Sequence, residues 1–318
     1  MLNRNAEALF WVGRYTERAE NHARLIDVHY HIQQENDVSP SDLKWSRIVE
    51  ALGSHADYTQ QYGAAFTERD VLAYMTLDKG NANSMLSCVS NARNNIRTLR
   101  EKVPSELWDV LNTFYLWLRE QQIGDIVGES PHQFYRRIKE WTGLFYGMEM
   151  SVMLRENEWH LIECGRCLER AENTVRIIQS VHLAAREDGA SAYPYLLAVL
   201  KSVSGYQAFR RYYADAVSIE AIVDFLIRGA AFPRSVRFAF RELDGHLRGI
   251  ALADGASESP HDKAIRLAAK ANADLACLDR EDMQPELLDG LLQGMLASCQ
   301  QLGVAIAKTF FRAQEASA

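Results

Sequence analysis

One stretch of this chain occurs twice, and that repetition constrains the fold more than any other feature. Residues 13–26 read GRYTERAENHARLI and residues 165–178 read GRCLERAENTVRII, so nine of fourteen positions are identical at an offset of 152. Far fewer identities survive elsewhere at this offset. Something therefore holds Gly13, Arg14, Glu17, Arg18, Ala19, Glu20, Asn21, Arg24 and Ile26 in both copies.

A helical period puts Phe10, Gly13, Arg14, Glu17, Glu20, Asn21 and Arg24 on one face, with Arg18 at its edge. Ala8, Val12, Tyr15, Ala19, Ala23 and Ile26 line the opposite face, matched by Cys164, Cys167, Ala171, Val175 and Ile178. The polar stripe has two readings. In the first it is a solvated face laced with pairs such as Glu20 with Arg24, each contributing a few tenths of a kcal/mol. In the second it is a shared network of Arg14, Glu17, Arg18, Glu20, Asn21 and Arg24 with Arg166, Glu169, Arg170, Glu172, Asn173 and Arg176. The paired Gly13 and Gly165 favour the second, because a mid-helix glycine costs about 1 kcal/mol relative to alanine and signals close approach of another backbone. Arginine beside glutamate suits such a network, since the guanidinium offers a carboxylate a rigid fork.

With 318 residues the chain is long enough for one large or two ordinary domains, and the duplication predicts halves over 1–152 and 153–318 that share a core. Only 7 prolines and 18 glycines leave no linker in view, and 47% hydrophobic against 24% charged residues fits a packed globular protein. A net charge of -7 argues against bulk nucleic-acid binding. Charges interrupt the N-terminal apolar residues, so neither a signal peptide nor a membrane span is expected, and the chain is assigned to the cytoplasm. Five cysteines, an odd number, favour reduced thiols. Cys164-x-x-Cys167 invites a metal reading, but Val12 and Tyr15 stand at these positions in the first copy, so no metal and no cofactor is assigned.

Helical periodicity runs from end to end without strand-like alternation, which predicts an all-α helical bundle built from two tandem pseudo-repeats about an approximate twofold. The first helix is expected from Asn3 to the early thirties. Ser39-Pro40, Ser130-Pro131 and Ser259-Pro260 read as helix starts, which makes Glu129-x-x-His132 and Glu258-x-x-His261 poor metal pairs. Thr67-x-x-Asp70 caps a short helix, Pro104 opens another, and the tail reads as two helices divided near Pro285. At an offset of 151, Tyr62 meets Tyr213, Tyr74-Met75 meets Phe225-Leu226, and Ser84-Met85 meets Ser235-Val236. Both halves thus present a Ser-bearing helix start followed by arginines: Arg93, Arg97 and Arg100 in one, Arg234, Arg237 and Arg241 in the other. Ser84 and Ser235 with these cations could hold a carboxylate or phosphate, although an ordinary cap with solvated arginines is the preferred reading.

The doubled GRxxERAENxxR stretch, the preceding Leu9-Phe10-Trp11, and the Asn81 to Met85 and Phe232 to Val236 helix starts resemble the alpha-E family of bacterial all-helical proteins over nearly the whole chain. Ala82 and Phe232 depart from that family's Asn-Pro-x-Ser-Ile helix start. The resemblance implies a circularly permuted ATP-grasp protein as neighbour or fusion partner, with transglutaminase-like proteases nearby, and hence amide-bond or peptide chemistry. An ATP-grasp ligase activates a carboxylate as an acyl phosphate and passes it to an amine. The expected function is a non-catalytic helical partner or peptide-binding component of such a system. The alternative is an enzyme of acyl or peptide transfer, with Glu17 or Glu169 as acid or base and neighbouring arginines orienting a peptide or acyl substrate. Against the alternative, no Ser or Cys has His and acid partners at a recognisable spacing.

Overall fold

Two long helices, α1 (Asn3–Asn36) and α9 (Asn157–Asp188), each carry one copy of the repeat and pack on each other at the centre of the molecule. The structure, a computed structural model, describes residues 3–36, 41–128, 131–188, 193–213, 217–252, 258–279 and 281–311. Its described residues form fifteen helices and no strand, so the chain is all-α.

Between the central helices lie α2 (Ser41–Ala51), α3 (His55–Tyr62), α4 (Glu68–Thr76), α5 (Met85–Thr98), α6 (Ser105–Arg119), α7 (Ile123–Gly128) and α8 (Pro131–Val152). After α9 come α10 (Tyr193–Ser202), α11 (Tyr206–Tyr212), α12 (Ile219–Arg228), α13 (Val236–Gly249), α14 (Glu258–Cys277) and α15 (Pro285–Phe310). Helix α1 packs against α5, α8 and α10 as well as α9, while α9 also packs against α13 and α15. Neither central helix keeps a solvated face over the repeat. Val12, Ala19, Ala23 and Ile26 are buried on one side of α1, and Gly13, Glu17 and Asn21 on the other. Of the two readings of the stripe, the structure agrees with the shared network that the glycines favoured and not with the solvated face: ringed by neighbours, these helices enclose most of their polar stripe together with their apolar one.

The glycines explain how the pair fits. A Cβ on Gly13 would lie 2.0 Å from the Ile162 carbonyl oxygen and 2.9 Å from the Arg166 nitrogen. On Gly165 it would lie 2.0 Å from the Phe10 oxygen and 3.2 Å from the Arg14 nitrogen. Each glycine thus meets the other helix at the same two repeat positions, backbone against backbone, and any larger residue would force the helices apart. Because both residue numbers rise together along the contact, α1 and α9 run parallel.

Local structure follows the register of the repeat. Tyr58 stacks on Tyr62 at 5.2 Å, and the edge of Tyr74 closes on both. At the matching positions Phe209 stacks on Tyr213 at 4.8 Å, with Phe225 edge-on to both. Gly53 and Ser204, again matched, both take positive φ after α2 and α10. Thr67 caps α4 by accepting from Asp70 N, and α6 begins directly after Pro104. Other boundaries moved. Helix α14 starts at Glu258, so Ser259-Pro260 lies within its first turn instead of capping it. Ser39-Pro40, Glu129 and Ser130 lie outside the described residues, and His132 pairs with Asp27 at 2.7 Å. No helix among the described residues is long and apolar enough to cross a membrane.

Candidate functional site

Glu17 and Glu169 stand at the centre of two ion networks across the α1–α9 contact, each only 2% exposed. Glu169 accepts from Arg14 Nε at 2.6 Å and from Arg18 through Nε at 2.7 Å and Nη2 at 2.9 Å. Glu17 accepts from Arg170 through Nε at 2.9 Å and Nη2 at 2.7 Å, and from Arg234 Nη1 at 3.1 Å. The second glutamate of each repeat closes the circuit. Glu172 binds Arg14 and Arg176, and Glu20 binds Arg24 and Arg234. Arg24 also reaches Ser204 Oγ at 2.6 Å.

Charge pairing explains how these carboxylates tolerate burial. Desolvation favours the neutral acid, but Arg170 and Arg234 outweigh it at Glu17, and Arg14 and Arg18 outweigh it at Glu169. Both carboxyls are held down to about 2. His22, beside the same network, is pushed down to about 3 by burial and then by the Arg18 charge. Asn21 and Asn173 are buried, and neither side-chain amide nitrogen has a hydrogen-bond partner among the described residues. They share the stripe without a visible role in the ion pairing.

The two networks use different arginines for the same task. Arg14 serves Glu169, yet its repeat equivalent Arg166 turns away from Glu17 to bind Glu149 of α8 and Glu163 of α9. Arg234 takes its place at Glu17. Its counterpart at an offset of 151 is Asn83, which accepts from Arg18 Nη1 at 2.5 Å. Sequence reasoning placed Arg234 on one side of α13 with Arg237 and Arg241; instead it precedes the helix and points into the core. Arg97, Arg100 and Arg241 are exposed, as the solvated reading expected, Arg100 lying over Trp108 and Arg241 beside Glu242, while Arg93 is half-buried over Trp108 and Tyr115.

Ser84 and Ser235 are helix caps. Ser84 accepts from Ser87 N, and Ser235 accepts from Phe238 N while donating to the Gly229 carbonyl at 2.7 Å. Each turn reaches its register by a different route. Asn81 ties the first to the Tyr74 carbonyl at 3.0 Å, whereas Phe232 at the same position stacks on Phe225 at 4.5 Å. These turns deliver Asn83 and Arg234 to the networks. The register match of 83 with 234 was the available signal for both residues.

Glu149, Glu163, His160 and His246 were also missed, since nothing in the repeat marks them. Glu149 is fully buried, and burial, with Glu163 nearby, raises its carboxyl to about 8 despite Arg166. Cys164 and Cys167 are buried and form no disulfide, and burial raises both thiols. Cys167 does not rest on a purely apolar face, however, because Glu163 and His246 lie beside it. Where the Glu172 network reaches the surface, a cleft of 660 Å³ opens between Arg14, Glu172 and Arg176 on one wall and Gln293, Gln300 and Val304 of α15 on the other.

An uncharacterized protein of Mycobacterium bovis (strain ATCC BAA-935 / AF2122/97) is 23% identical over 300 residues, covering 89% of this chain and 33% of the relative. Uncharacterized proteins of Mycobacterium tuberculosis strains CDC 1551 / Oshkosh and ATCC 25618 / H37Rv match with the same identity and coverage. The chain thus spans about a third of the length of the curated relatives it matches. No solved structure matches it. The model of one family covers residues 1–311, and the chain belongs to that family: Alpha-E, described as a predicted alpha-helical domain with a conserved ER motif.

Proposed function

We propose that the chain is a non-catalytic helical component of an amide-ligase or peptide-modification system, with an ATP-grasp-type ligase as partner. The condition of the network carries this reading. Glu17, Glu20, Glu169 and Glu172 all accept from arginines, and Glu17 and Glu169 remain ionised down to about pH 2. Carboxylates held so far below neutrality are weak proton acceptors, better suited to locking two helices than to acid–base chemistry. Within this reading the networks are related by an approximate twofold along α1 and α9, and residues 1–152 and 153–318 are halves of one core. The reciprocal glycine contacts and matched ring geometry support that symmetry.

The matched relatives are about three times as long as the region they share with this chain, which fits a module that works beside others. The cleft lined by Arg14, Glu172 and Arg176 is where a peptide or acyl substrate with a carboxylate would dock, with Arg176, the more exposed of the two arginines and paired among the described residues only with Glu172, as its cation. A cytoplasmic setting, with ATP and reduced thiols, goes with this proposal. The test is co-expression with the neighbouring ATP-grasp protein, followed by co-purification and an ATP-consumption assay with and without this chain. A stable complex with stimulated turnover is the expected result, reduced by Arg176→Glu. Turnover of an acyl or peptide substrate by this chain alone would replace the reading with the enzymatic one.

A further inference from the structure

The third ion cluster differs from the other two in its composition. The Glu17 and Glu169 networks each hold more arginines than glutamates, whereas at Arg166 two carboxylates, Glu149 and Glu163, share a single guanidinium. All three side chains are buried. Beside this cluster, one donor atom from each of Glu163, Cys167 and His246 lies within 4.8 Å of the others.

The orientation of these donors matters as much as their proximity. Glu163 and Cys167 are one helical turn apart on α9, which puts both on the face that meets α13. Arg166 takes Glu163 Oε1 and leaves Oε2 turned toward His246 Nε2, at 3.9 Å. That separation is too long for a hydrogen bond, yet two ligands each about 2.0–2.2 Å from one ion would span it. His246 Nδ1 bonds His160 Nδ1 at 3.1 Å, and a proton on His246 Nδ1 leaves the Nε2 lone pair free to face Glu163. Gly249 makes room for this arrangement, since a Cβ there would fall 2.3 Å from the His160 ring.

The duplicated scaffold does not itself require these donors. At an offset of 152, His160, Glu163 and Cys167 correspond to Ala8, Trp11 and Tyr15, and at 151 His246 corresponds to Asn95. In the first half Trp11 stacks on Tyr15 at 5.2 Å, and Asn95 Nδ2 donates to the Ala8 carbonyl at 3.3 Å. The same place is thus filled by aromatic rings and an amide in one half and by carboxylate, thiol and two imidazoles in the other. We propose that Glu163, Cys167 and His246 form a binding site for one zinc-class divalent metal ion, with His160 and Arg166 orienting the ligands. Thiolate, imidazole and carboxylate together favour zinc over magnesium or calcium, and three protein ligands leave a fourth position for water or a partner's group. Binding would displace the Cys167 thiol proton to solvent. This is a different site from the Cys164-x-x-Cys167 pair, because Cys164 is not among the converging donors.

The test uses the full chain, stripped of metal and titrated with Co(II) and then Zn(II). One Co(II) per chain is expected, with a thiolate-to-metal charge-transfer band that one equivalent of Zn(II) abolishes. X-ray absorption of the zinc-loaded wild type should show one sulfur at about 2.3 Å and nitrogen or oxygen donors at about 2.0–2.2 Å. Cys167→Ser should remove the band, and His246→Gln should weaken binding at least tenfold. Cys277→Ser, at an exposed thiol, should change neither. A wild-type protein with no charge-transfer band and no sulfur shell overturns the proposal, as does a band that survives Cys167→Ser or disappears in Cys277→Ser. The wild-type spectra decide the thiolate question whether or not Cys167→Ser folds.

Discussion

Replacing Gly13 with alanine tests the central contact with a single methyl group. The new Cβ would have 2.0 Å to the Ile162 oxygen where ordinary contact begins at 3.4 Å, a shortfall of about 1.4 Å against rigid backbone. No side chain can rotate to absorb it, so α1 and α9 must separate. The ion pairs that cross this interface, Arg14 to Glu169 at 2.6 Å, Arg18 to Glu169 at 2.7 Å and Arg170 to Glu17 at 2.7 Å, would then stretch beyond hydrogen-bond length. Overpacking alone costs about 1–3 kcal/mol, and stranding a buried carboxylate costs about 3–5. Because one displacement produces both effects they do not add in full, and a loss of about 4 kcal/mol is expected. That is a large part of the roughly 5–15 kcal/mol typical of native stability. Urea unfolding followed by circular dichroism measures it as a shift in midpoint at constant slope. Gly143→Ala and Gly147→Ala are the controls: both glycines are exposed on α8 with nothing within 4 Å, so each should gain up to about 1 kcal/mol. Gly165→Ala added to Gly13→Ala should cost less than it does alone, since the interface is already open. A Gly13→Ala protein that unfolds with the α8 controls would refute the reasoning.

Glu17→Gln and Glu169→Gln should each lower stability by about 3–5 kcal/mol, because each takes the shared carboxylate from two arginines, whereas Arg18→Ala and Arg170→Ala should cost less, since Glu169 keeps Arg14 and Glu17 keeps Arg234. Variants that melt like wild type but abolish ligase stimulation would move the network from structure to function. The depressed Glu17 carboxyl contributes stability that is complete above about pH 4.5 and lost as pH falls toward about 2, worth roughly 3 kcal/mol. The gap between wild type and Glu17→Gln in urea midpoints should therefore narrow between pH 7 and pH 3. At the helix caps, Ser84→Ala and Ser235→Ala should each cost about 1 kcal/mol, since each leaves a first-turn N–H, of Ser87 or Phe238, without its acceptor; urea midpoints equal to wild type would contradict the caps.

The sequence by itself determined the class of fold, the duplication and the identity of the interacting stripe. Those follow from local rules: a 3.6-residue period, caps such as Thr67, and glycine kept at Gly13 and Gly165 where no side chain fits. It also put the residues of each network on one face, which is why Arg14, Glu17, Arg18, Glu20, Arg24 and their second-copy equivalents could be named. Only the tertiary structure decided which arginine meets which glutamate. Arg14 and Arg166 are identical by sequence, yet Arg14 crosses to Glu169 while Arg166 turns to Glu149 and Glu163, because Arg234 already occupies the place at Glu17. The paired glycines pointed to a close contact, but which side chains it would bury was hidden for a related reason. A polar stripe reads as solvated when its own helix is considered alone, and it becomes interior only when the second copy supplies charges of opposite sign across a contact 150 residues away. Periodicity records the preference of one helix for its own surroundings; the partner across the interface is a property of the assembled core.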